Sequence, residues 1–135
     1  MATSSQPDTP HPARLGRARR MIAARLFTEA REQQLRFPGR YMVLCLRRGA
    51  DADLRLGVIT TRRLGGAVMR NRARRRLREL FRRHRDMLQG RVDVLLLARQ
   101  GIDRATWTAL CREFLKLAYR AGLLPDKTDI NKTRP

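Results

Sequence analysis

Aromatic residues make up only 5% of this chain, cysteine occurs twice and lysine three times. No stretch approaches the ~18 consecutive apolar residues that a membrane-crossing helix needs. Each shortage excludes something. Cys45 and Cys111 lie far apart, each inside an apolar run, so they read as reduced core thiols rather than a disulfide framework or a metal pair. The two histidines, His11 and His84, belong to no HExxH and to no Ser/His/Asp set that the pattern brings together. His84 falls in a run of arginines and reads as a solvated or capping side chain. Gly65-Gly66 lacks the context of a P-loop. The first twenty residues contain no apolar core of a signal peptide, which predicts a cytoplasmic protein. Acids are scarce too: 12 against 31 basic residues, for a net charge of +19 and a pI near 11.8. A self-sufficient hydrolase or transferase finds little support here, whereas a binder of polyanions finds much. Nucleic acid leads and an anionic membrane surface follows.

What the chain does have is concentrated in Ala67–Arg85, AVMRNRARRRLRELFRRHR, with nine arginines and one acid, Glu79. Ala73, Leu77, Leu80, Phe81 and Leu88 recur at the spacing of one apolar helix face. Arg70, Asn71, Arg74, Arg75, Arg78 and Arg82 occupy the other side. Like charges one turn apart repel by a few tenths of a kcal/mol per pair, roughly, and Glu79 reaches only Arg75 and Arg83 at four residues' distance. A merely solvated face would mix both signs.

Residues 1–13, rich in Ser, Thr and Pro, predict a disordered leader, and 125–135 a flexible tail, around one domain at 14–124. A first helix spans Arg19 to about Gln33, with Ile22, Leu26, Phe27 and Ala30 on one face. Phe37-Pro38-Gly39 breaks the pattern. Tyr41–Leu46 reads as a buried strand, Arg48–Asp53 as a polar loop with Asp51 and Asp53 as turn residues, and Leu54–Thr61 as a second strand antiparallel to the first. Val92–Ala98 is another buried strand. Thr106, with Asp103 as the alternative, caps a last helix that ends at Gly122 before Pro125. The order α-β-β-α-β-α predicts an α+β two-layer sandwich on a small central sheet. It contains a βαβ unit whose crossover a general rule makes right-handed.

The ordered run from Gly57 to Glu79 carries a more specific signal. Ala67, Val68, Arg70, Asn71, Arg74, Arg75, Arg78 and Glu79 fall on the pattern A-V-x-R-N-x-x-[KR]-R-x-x-[RK]-E, behind a strand ending in Arg62-Arg63 and ahead of the VDVLLLAR strand. It resembles the protein subunit of bacterial ribonuclease P, over roughly Arg14 to Leu124. The resemblance implies a left-handed βαβ crossover and a magnesium-dependent RNA subunit that removes the 5′ leader of precursor tRNA. The chain itself would contribute no catalytic residue and no metal site. Its partners would be that RNA and precursor tRNA, with no membrane and no obligate protein partner. Arg62, Arg63, Arg70, Asn71, Arg72, Arg74, Arg75 and Arg78 would contact the RNA subunit. A cleft between the first helix and the sheet would hold the leader through Phe27, Arg31, Phe37 and Tyr41, each aromatic having core packing as its alternative. Arg31 and Cys45 stand where the family often has aromatics, and Ala73 where it has Ile or Val. Three other readings stay open. One is a major-groove DNA binder, though Gln89-Gly90 ends the pattern before any zipper. Another is a ribosomal or general RNA-binding protein that shares the charge. The third is a peripheral membrane protein using a basic amphipathic helix.

Overall fold

Leu35 and Phe37 alternate with Arg36 and Pro38, and this short period of two makes a strand where the sequence had suggested only a break. The structure is a computed structural model that describes Arg20 and residues 24–125. The leader 1–13, His11, Ile22, the start of the first helix and the tail beyond Pro125 lie outside the described residues. The elements run α1 (Ala24–Gln33), β1 (Leu35–Pro38), β2 (Met42–Arg48), β3 (Leu56–Ile59), α2 (Ala67–His84), β4 (Val92–Ala98) and α3 (Trp107–Arg120). The α+β class and the order of elements stand as expected, with β1 added. Its Pro38 is tolerated because β1 is an edge strand.

The sheet order is β1-β2-β4-β3. β2 pairs antiparallel with β1 and with β4, while β3 pairs parallel with β4. The expected second strand therefore runs opposite to β2, as read, but β4 lies between them. Parallel strands need a crossover, and α2 supplies it.

Alternation along the strands divides the apolar residues between two faces. Met42, Leu44, Leu46, Leu56, Val94 and Leu96 point to one side, where α2 and α3 cover them with Leu77, Leu80, Phe81, Leu110, Phe114 and Leu117. Val43, Cys45 and Leu95 point to the other, where Ala30 of α1 meets them. Both cysteines are buried and unbridged. His84 is a correction: it is 5% exposed, not solvated. Its Nδ1 lies 2.8 Å from the Leu80 carbonyl and its ring 5.7 Å from that of Phe114. Burial, chiefly, pushes its pKa down.

The ends of α3 follow the sequence closely. The Thr106 hydroxyl accepts from the Ala109 amide at 3.1 Å. Gly122, at φ 81°, lets the amides of Gly122 and Leu123 reach the carbonyls of Tyr119 and Ala118. Midway along, the Glu113 carboxylate accepts from the amides of Arg40, Tyr41 and Met42 at 2.8, 2.8 and 3.0 Å. It thereby fixes the turn between β1 and β2. Glu113→Ala orphans three donors and is expected to cost about 2 kcal/mol in thermal unfolding, with Glu113→Gln recovering part.

Candidate nucleic-acid interface

α2 presents the arginines because its apolar stripe is consumed by the core. Ala73, Leu77, Leu80 and Phe81 are buried, which leaves Asn71, Arg72, Arg75 and Arg83 exposed. Not every cation on the helix is available to a ligand. Arg70 donates to the Gly65 carbonyl at 2.8 Å, and Arg74 to the Asn71 side-chain oxygen at 2.7 Å. Arg76 forks onto the carbonyls of Ile102 and Ala105, both at 2.7 Å, and so ties α2 to the turn before α3. Arg82 and Arg83 bond Glu79, and these hydrogen bonds, that of Arg82 above all, hold its pKa down to about 2. The expected Arg75–Glu79 pair does not form, because Arg82 and Arg83 occupy that carboxylate.

Arg62, Arg63, Arg72, Arg75 and Arg78 are left without an ion pair or side-chain hydrogen bond among the described residues. Arg62 and Arg63 are exposed on a 3₁₀ turn just before the N-terminus of α2, where the helix dipole adds positive potential. The Gln100 side chain, bonded to the Arg63 carbonyl at 2.8 Å, steadies that turn. Arg78 has its pKa pushed down by burial first, then by Arg20 and Arg74. It still carries its charge at neutral pH, with Arg20 and Arg74 adding to the positive field around it. Val68, 68% exposed, adds an apolar spot among these cations, one and two turns before Arg72 and Arg75. The sequence pattern contained it without assigning it a role.

The opposite face of the sheet carries three rows of residues that share a register. Arg47, Asp93 and Arg55 form the first; Arg36, Cys45, Leu95 and Gly57 the second; Val43, Leu97 and Ile59 the third. Ala30 packs with the apolar part of the second row and Glu29 bonds Arg47 of the first, so α1 lies over these two. Gly57 is needed there: a Cβ at this position would lie 2.8 Å from the Phe27 ring. Ile59 and Leu97 remain half-buried at the border. Phe27 and the third row thus make an apolar strip beside α1, the α1 trough, with the exposed Arg36 next to it on β1 and the exposed Arg31 one turn beyond Phe27 on α1. The Arg36 charge opposes the upward push that burial gives the Cys45 thiol.

The four residues expected to hold a leader do not come together. Phe27 and Arg31 lie on the α1 side. Phe37 stands opposite Leu44 and shares its face, so it packs into the α2–α3 core, as does Tyr41. Arg40 lies over the Tyr41 ring at 5.3 Å. For these two the core-packing alternative describes the observed packing. Arg36, Gly57, Ile59 and Leu97 were not among the expected residues: alternation along their own strands held the signal for Ile59 and Leu97, whereas Arg36 lies on β1, which the proline disguised.

The acids around Asp51 also differ from simple turn residues. Asp93 is wholly buried, and Arg47, 2% exposed, lies 2.8 Å from it. Arg47 also bonds Glu29 of α1 and Asp51, both at 2.7 Å, while Arg55 reaches Asp93 at 2.8 Å. Arg47 chiefly, then Arg25, hold the Asp51 carboxyl far below the usual carboxylate range.

Comparison with known proteins places this geometry. The family profile described as Ribonuclease P matches residues 15–122. The ribonuclease P protein component of Chloroflexus aurantiacus is 35% identical over 115 residues, covering 84% of each chain. That of Syntrophomonas wolfei is 28% identical over 109 residues, covering 81% of this chain and 92% of that one. The Staphylococcus aureus RNase P protein superposes with a TM-score of 0.69 at 24% identity, covering 80% of this chain and 99% of that one. The Thermotoga maritima RNase P protein gives 0.67 at 25%, covering 75% and 96%. Among the described residues no helix is long and apolar enough to cross a membrane.

Proposed function

The chain belongs to the ribonuclease P protein family, and from that premise we propose that it is the non-catalytic, RNA-binding half of a cytoplasmic endoribonuclease that trims the 5′ leader from precursor tRNA. The observation that carries the reading is the set of arginines on α2 and the turn before it that have no ion pair or side-chain hydrogen bond among the described residues, with the α1 trough on the other face of the sheet. Arg62, Arg63, Arg72, Arg75 and Arg78 neutralise phosphates of the RNA subunit. Asn71 and Arg74, bonded to one another, act as one polar unit beside them, and Arg70 shapes the Gly65–Gly66 turn while adding its charge. The trough takes the single-stranded leader. Phe27 offers a stacking face, Arg31 and Arg36 pair with phosphates, and Ile59 and Leu97 form the floor, in the manner of single-strand readers.

The division of labour follows from charge. Two RNAs approaching one another repel, and a +19 protein between them offsets that repulsion. Magnesium, which the RNA subunit uses for cleavage, also screens, so the benefit of the protein shrinks as magnesium or salt rises. Neither a membrane nor an obligate protein partner enters this scheme.

The test is cleavage of a precursor tRNA by a bacterial ribonuclease P RNA, with and without the chain, across magnesium concentrations and leader lengths. The expected result is a stimulation that is largest at low magnesium and grows with leader length until the trough is filled. Cleavage by the chain alone, or a stimulation indifferent to the leader, would overturn the reading. Within it, Phe27→Ala is expected to weaken precursor binding by about 1–3 kcal/mol while leaving mature tRNA and RNA-subunit binding unchanged.

A further inference from the structure

We propose that Glu29 and Arg47 are positioning residues for the leader: they set the height of α1 over the sheet at which Phe27 and the Val43–Leu97–Ile59 row can grip a single strand. The inference rests on the leader-trough reading above. Its basis is how α1 is attached. Only Leu26 and Ala30 of this ten-residue helix are fully buried, too little apolar surface to fix its tilt. Polar ties do the rest. Glu29 Oε1 accepts from Arg47 at 2.7–2.8 Å, and Arg25 reaches Asp51 at 3.0 Å. At the end of the helix, Gln33 exchanges two hydrogen bonds with the Arg48 backbone, at 2.6 and 2.8 Å.

Arg47 is a fixed reference point. It is buried inside the sheet and also held by Asp93 and Asp51, and its planar fork permits little rotation once three carboxylates engage it. Glu29 is therefore pinned to the sheet, and Phe27 sits half a turn before it on the same helix. The carboxylate serves α1 placement, although it adds a negative charge close to a surface meant for RNA.

That charge gives the proposal a sign that plain electrostatics does not share. Deleting a carboxylate from a cationic protein strengthens its attraction for every polyanion. Loss of positioning weakens binding, and only for tRNA that carries a leader. In the reconstituted holoenzyme, Glu29→Ala is expected to weaken precursor binding by about tenfold, the scale of a small misplacement. Mature tRNA binding, assembly with the RNA subunit, and kcat at saturating precursor should hold. Alanine is the best helix former, so the helix itself does not suffer. Glu29→Gln, keeping a neutral acceptor for Arg47, should fall between. Gln33→Ala, which changes no charge, should give a smaller loss of the same precursor-specific kind, and it guards against a folding defect at Glu29. Equal or tighter precursor binding by Glu29→Ala would overturn the proposal. So would a loss shared equally by mature tRNA. Phe27→Ala, measured alongside, separates the two layers. If it alone lowers the precursor-to-mature affinity ratio, positioning fails while the trough stands. If it leaves that ratio unchanged, the trough reading fails and the positioning proposal falls with it.

Discussion

Replacing Arg72, Arg75 and Arg78 together by alanine is expected to loosen the complex with the ribonuclease P RNA and to flatten its salt dependence, the log–log slope falling by about 2–3. Each phosphate contact releases condensed counterions, and each lost contact removes about 0.7–0.9 from that slope. These three are chosen because no hydrogen bond or ion pair within the described residues holds them, so their removal does not injure the fold. Arg76 is the contrast. It lies on the same helix and carries the same charge, but its guanidinium is committed to the carbonyls of Ile102 and Ala105. Arg76→Ala should lower the unfolding midpoint and leave the slope nearly unchanged. Titration of RNA-subunit binding between 50 and 200 mM salt, beside thermal unfolding of both variants, reads the two effects apart. An unchanged slope in the triple variant would remove α2 from the RNA interface.

The contrast between Arg76 and Arg75 shows what periodicity can and cannot tell. Spacing alone put Ala73, Leu77, Leu80 and Phe81 on the buried face and the arginines outside, and the helix forms that way. Which arginines are spoken for depends on partners brought from elsewhere, such as the turn 102–105 beside Arg76, and helix spacing holds no trace of those. The same limit explains the trough. Phe27 and Arg31, four residues apart, could be put on one helix face from spacing alone. Phe37 and Tyr41 could be read either as leader or as core residues, and for Phe37 the choice stayed open because β1 went unrecognised: four residues containing a proline look like a break. Once β1 pairs with β2, alternation sends Phe37 to the α3 side and Arg36 to the α1 side. Asp93 stayed hidden for another reason. Inside VDVLLLA it looks like a polar exception in a buried strand, and its meaning comes from Arg47 and Arg55, which lie on two other stretches of the chain.

Those partners make Asp93 the residue on which the fold is expected to depend most. It is wholly buried and accepts from the Arg47 and Arg55 side chains and from the Asp53 and Arg55 amides, at 2.8–3.1 Å. Asp93→Ala leaves two amides unpaired and strips the buried Arg47 of one of its three carboxylates. Breaking a buried pair in this way typically costs about 3–5 kcal/mol, a large share of the roughly 5–15 kcal/mol that holds a domain folded. The expected outcome is a chain largely unfolded at 37 °C without RNA. Changing Arg47 to Met and Asp93 to Leu together should cost less than Asp93→Ala, because no buried guanidinium is left short of a partner, although the two amides stay unpaired.

The pH dependence has a definite sign. Burial by itself raises the Asp93 pKa, but the hydrogen bonds from Arg55 and the two amides outweigh it, and the folded value lies below the ordinary 3.8. A carboxyl depressed on folding contributes stability that is complete above its unfolded pKa and lost as pH falls through the folded one. Asp51 shifts in the same direction, so the wild type should hold its unfolding midpoint down to about pH 4 and lose it steeply below. In Asp93→Ala that acid-side decline should be shallower and the midpoint low throughout. A variant whose stability matches the wild type at neutral pH would mean that Glu29 and Asp51 alone satisfy Arg47, leaving Asp93 dispensable.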